Sequence, residues 1–224
     1  MKLKYRLLVP TMMTIFNVCA ILAKLKMKST GGIVSLLVST AFVWLPTLVK
    51  RIFKVNIPAL FEYCALIQIF CAIGLGSGLA FYYRVGFWDI LAHTFSGVLF
   101  SFGALWLLNI LKQKLNDWMM ITFAFLFSTS VGVLWEMYEF FADRIRDASD
   151  MQRAKFETTG VGGVMDTMID IVCNFVGCLI FIGIFIYDKK KKESALMISF
   201  ENECNRVENK VFEEDEVEVY GEEL

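Results

Sequence analysis

The chain has a single histidine, His93, in 224 residues. Any site that needs two imidazoles is excluded, including zinc proteases built on H-E-x-x-H. None of the six cysteines forms a C-x-x-C pair, and all but Cys204 lie in apolar runs. They read as small buried apolar residues, not as a zinc site or a disulfide framework. Proline occurs three times, so few helix breakers fall inside the long segments. No nucleophile-elbow motif surrounds a serine near His93; Ser77 and Ser96 are close by position only. The net charge of −1 leaves no overall basic excess, and no nucleic-acid partner is expected.

What is present is apolar sequence in long runs. Hydrophobic residues make up 57% of the chain and the mean hydropathy is +0.57, against ~45–50% apolar usage in soluble domains. Runs near bilayer-spanning length carry almost no charge. The expected fold is all-α: a polytopic membrane helix bundle over residues 1–192, with six spans near 7–23, 33–49, 58–81, 88–111, 117–141 and 164–187. No small-x-small cleavage site follows the first run before Lys24, so that run reads as a retained helix. Gly74-Leu-Gly-Ser-Gly78 suits close helix packing. Tyr82, Tyr83 and Trp88 read as an interfacial aromatic belt. Residues 193–224 are strongly acidic and are expected to be a mobile, solvated tail.

Basic residues favour one side. Lys2, Lys4, Arg6, Lys50, Arg51, Lys54, Lys112, Lys114 and Lys189 to Lys192 share it when the N-terminus is inside. Both termini are then cytoplasmic, in a multi-pass protein of the cell (inner) membrane.

Three polar groups stand at the ends of the last three runs: Asp89-x-x-x-His93, Glu136-x-x-Glu139-x-x-x-Asp143, and Asp166-x-x-x-Asp170-x-x-x-Asn174. Residues three or four apart share a helix face, so each span offers a polar stripe. Antiparallel succession brings all three stripes to one membrane face, the outer one in this orientation. Any single acid near a helix end reads most simply as a solvated end, and Asp89 and Asp166 suit helix N-termini. Glu136, Asp170 and Asn174 lie deeper. An acid at a helix centre costs ~2.5–3.5 kcal/mol on insertion scales, and several approach the ~5–15 kcal/mol stability of a domain. Protons, hydrogen bonds, water or a cation must offset them.

The candidate catalytic set is Asp89, His93, Glu136, Glu139, Asp166, Asp170 and Asn174. Asp89, His93, Glu136, Asp166 and Asp170 are the candidate metal ligands. Oxygen donors with one imidazole suit Mg²⁺, Mn²⁺ or Ca²⁺, with Zn²⁺ the less suited choice. Gly160-Val-Gly162-Gly163 leads into the last span and, with Arg84, Arg144 and Arg146 at the rim, forms a candidate anion site at a helix N-terminus for a phosphate or lipid headgroup. The bland reading of those glycines is a turn.

The stretch Trp88–Gly177 resembles the YjdF-like family of bacterial inner-membrane proteins, through Asp89-x-x-x-His93-x-x-x-Gly97, Glu136-x-x-Glu139, and Asp166-x-x-x-Asp170 with Gly177. More distantly it is similar to VanZ-like membrane proteins. They share the order of an Asp–His pair, an acidic helix and Asp-x-x-x-Asn-x-x-Gly, here Asp170, Asn174 and Gly177, with Glu139 standing where they carry Gln. The resemblance implies an envelope-associated membrane protein without an assigned reaction. Three functions follow as expectations. One is metal-dependent processing of a lipid-linked or cell-envelope substrate. The others are a proton- or cation-coupled transporter and a non-catalytic envelope or stress-resistance factor. The lipid bilayer is the partner common to all three.

Overall fold

A computed structural model describes residues 3–145, 149–152, 162–191, 199–200 and 202–203. Among these residues the structure is all-helical. Six helical stretches are long and apolar enough to cross a membrane: Leu7–Lys26, Ile33–Phe53, Ala59–Gly78, Trp88–Ile110, Asp117–Ile145 and Gly162–Lys190.

The first half of the bundle is irregular. Helix α1 (Leu3–Lys26) packs against α2 (Ile33–Phe42), which stops at Val43 and Trp44 before α3 (Leu45–Phe53). Pro46 lies in the first turn of α3, where its missing N–H costs nothing. Two side-chain bonds tie α1 to this span: Asn17 Nδ2 donates to Ser39 Oγ (3.1 Å) and Trp44 Nε1 donates to Thr14 Oγ1 (3.0 Å).

The third span departs from an uninterrupted α-helix. Helix α4 (Ala59–Ile69) continues as a π-helix over Phe70–Gly78. Its glycines serve contact: a Cβ at Gly78 would meet the Leu36 side chain at 2.8 Å, and one at Gly32 would meet the Gly78 carbonyl oxygen at 2.3 Å. Gly32 also has φ +76°, which glycine adopts without strain. The short α5 (Phe81–Arg84) then leads into the second half.

Helices α6 (Trp88–Ile110), α7 (Asp117–Ile145) and α8 (Gly162–Lys190) form an antiparallel trio. Two of them outrun the expected spans. Helix α7 carries on to Ile145, so Asp143 and Arg144 are helical and not in the loop, and α8 begins at Gly162. At the far end the trio closes on Ala104, Leu105, Leu108, Ala124, Phe181 and Phe185. Phe200 packs into the same cluster, and Glu203 Oε2 accepts the Ala59 N–H (2.6 Å) at the start of α4. Both residues belong to the stretch read from sequence as a tail; its remaining acidic residues lie outside those described.

Candidate functional site

The site lies at the opposite end of the trio. At 1.5 Å per residue, His93 lies ~26 Å from Ile110, Glu136 ~27 Å from Trp118 and Asp170 ~29 Å from Lys189. All three thus lie at similar distances from the other end of the trio, near the ~30 Å that a hydrocarbon layer spans.

His93 is the hub. Its Nε2 is 3.4 Å from Asp89 Oδ1, one turn earlier on α6, and 3.7 Å from Asp170 Oδ2 on α8. Its Nδ1 faces the other way, 3.7 Å from Glu136 Oε1 on α7. One imidazole therefore joins carboxylates from three helices. Two triads have ligand atoms within 4.8 Å of one another: Asp89, His93 and Asp170, and His93, Glu136 and Glu139.

These groups are out of solvent: Asp170 is 1% exposed and Glu136 4%. Neither Glu136 oxygen, nor Asp170 Oδ2, accepts a hydrogen bond of good geometry among the described residues. Such groups are costly unless another donor or cation completes them. Glu139 differs, because Trp135 Nε1 donates to its Oε1 (2.8 Å). Asp89, His93 and Asp170 are a donor set that could hold a divalent cation on the Nε2 side.

Asp166 is buried one turn before Asp170, outside both triads. Asn174 is buried one turn after Asp170. Its Nδ2 donates to Ser96 Oγ (3.3 Å), and Ser96 Oγ donates to the His93 carbonyl (2.7 Å). Beside it Ser128 Oγ, on α7, donates to the Gly97 carbonyl (2.9 Å) on α6. A neutral polar layer thus fixes the three helices beneath the acids. Of the candidate anion residues, Gly162 and Gly163 form the first turn of α8. Arg144 is exposed, with its guanidinium 4.7 Å from the Phe140 ring centre. Gly160 and Arg146 lie outside the described residues.

From sequence Tyr82 read only as part of the interfacial aromatic belt, not as a site residue. Of the expected aromatic belt, Tyr83 is exposed, but Tyr82 turns inward onto Gly76, where a Cβ would meet its ring at 2.4 Å. Burial, together with the nearby carboxylates of Asp89, Glu139 and Asp170, pushes its phenol well above the usual range. It stays a proton donor. The signal for it was the glycine pattern of the π-helix, which makes room for a ring.

Residues 8–191 match the family described as predicted membrane protein (DUF2238). The chain belongs to that family. It is 28% identical over 149 residues to an uncharacterized protein of Thermotoga maritima, covering 65% of this chain and 71% of that one. No solved structure matches. The matched stretch takes in all six spans and the whole carboxylate–histidine centre.

Proposed function

We propose that the centre binds a divalent cation and processes a lipid-linked or cell-envelope substrate at the outer face of the inner membrane. The observation that carries this reading is His93 held between acids on both ring edges, with Glu136 and Asp170 buried and incompletely bonded. Asp89, Asp170 and His93 Nε2 would hold the ion, which supplies Lewis-acid chemistry when bound. Glu136, 3.7 Å from Nδ1, would then accept a hydrogen bond from Nδ1–H and fix the ring, the usual partner of a metal-bound histidine. Glu139, held by Trp135, is the group available to take or give a proton. Asp166 adds negative charge beside the ligands, and Asn174 braces α8. The shared motif order with YjdF-like and VanZ-like proteins supports an envelope role.

Elemental analysis of the purified protein tests the reading. Bound Mg, Mn, Ca or Zn, lost in His93→Ala and Asp170→Asn, is the expected result. Wild-type protein without any retained or titratable cation overturns it.

A second reading, a proton- or cation-coupled carrier, is favoured by one observation: the π-helix that interrupts the third span beside Tyr82. Cation-driven uptake in vesicles without lipid turnover would select it.

A further inference from the structure

Between α7 and α8, on the membrane side of the centre, lies a groove of about 710 Å³, within the ~300–1,000 Å³ of ligand pockets. Its walls are apolar and open: Met137 and Phe141 of α7 and Met168 of α8 are each about half exposed. At its deep end α7 and α8 close together where Gly132 meets Asn174; a Cβ on that glycine would lie 2.8 Å from the amide. Glu136, buried and with neither carboxylate oxygen in a hydrogen bond of good geometry among the described residues, lines the inner wall beside Thr167. At the mouth are Arg144 of α7 and Gly163 in the first turn of α8, where N–H groups have no acceptor within the helix and favour anions. Asp143 and Asp150 also line it, but both Asp143 carboxylate oxygens are engaged by the backbone N–H groups of Met151 and Gln152 (2.9 Å each).

The groove runs from Val133 to Arg144, ~16 Å along α7. By the distances above it begins at the hydrocarbon edge and rises through the headgroup layer. What lies beside an open, apolar-walled groove at that level is lipid. Arg144 and the α8 amides call for a negative head, and Glu136 calls for a cation between it and that head.

We infer that this groove is a side entrance that takes the phosphate head of a lipid from the adjoining leaflet, while the lipid's chains stay in the bilayer along Met137 and Met168. The inference rests on the reading of the centre as a cation site that acts on lipid.

The test uses full-length protein in nanodiscs containing traces of photoactivatable phosphatidic acid or diacylglycerol with identical chains, with labelled residues mapped by mass spectrometry. The phosphatidic acid probe labels residues 137–144 and 163–168 in excess over diacylglycerol. Arg144→Gln lowers that excess about tenfold, the effect of losing one charged contact. Met168→Trp, which fills the groove, removes it. Labelling of α1, which faces lipid, stays constant and reports that the protein is folded. Equal labelling by the two probes, or labelling indifferent to both substitutions, overturns the inference. Cation content measured on the same samples judges the catalytic reading separately, because neither substitution touches Asp89, His93 or Asp170.

Discussion

Gly97 of α6 and Gly177 of α8 bring two helix backbones into contact, with their Cα atoms so close that a Cβ on either would lie 2.9 Å from the other's Cα. It would also lie 2.1 Å from a backbone carbonyl oxygen, of Asn174 for Gly97 and of Thr94 for Gly177. The contact is one turn below His93 and sets how near Asp170 comes to the imidazole.

Gly97→Ala or Gly177→Ala therefore pushes the helices apart. Overpacking of this kind costs ~1–3 kcal/mol, and here it acts on backbone, which cannot swing aside. The expected outcome is a lower thermal midpoint in detergent and weaker cation binding. Gly183→Ala is the control. Nothing lies within 4 Å of its Cβ position, and alanine gains ~0.5–1 kcal/mol over glycine inside a helix.

Glu136→Gln separates ligand from support. The amide keeps the shape of the side chain but loses the charge that faces Nδ1. Cation affinity is expected to fall ~10–100-fold, as when a supporting partner is removed, while His93→Ala abolishes binding. Isothermal titration with Mn²⁺ or Zn²⁺ reads both. Equal loss in the two variants would make Glu136 a direct ligand.

On the other side of the bundle, Lys50 forms an ion pair with Glu62, which is 2% exposed. Lys50→Met removes one charged partner of a buried carboxylate and is expected to cost ~1–3 kcal/mol. The double variant Lys50→Met, Glu62→Gln recovers most of that. Thermal unfolding of the three proteins measures the difference, with no change in bound cation.

Tyr82 predicts an alkaline limit. Its folded pKa lies above the unfolded value near 10, so above that pH the unfolded chain releases a proton that the folded chain retains. Stability then falls as pH rises beyond about 10. Below it both states are protonated and nothing changes. Tyr82→Phe is expected to flatten this part of the stability–pH profile.

The six spans were legible because a bilayer demands long uncharged runs, and the shared end of the polar stripes followed from counting crossings. The four-residue spacing of Asp89 with His93, and of Asp166 with Asp170, placed each pair on one face. The rotation of each helix about its own axis was not legible. In lipid the outward face is as apolar as the packed face, so Met137 and Leu108 look alike in sequence. Rotation is decided by close packing at Gly97, Gly132 and Gly177. Packing alone set the edge of His93 that meets Glu136, tied Asn174 to Ser96, turned Tyr82 inward and opened the groove beside Met168. The sequence determined which groups lie at one depth, because depth follows from chain length and polarity. The tertiary structure decided which of them face one another, because that depends on ångström-scale contacts between helices far apart in the chain.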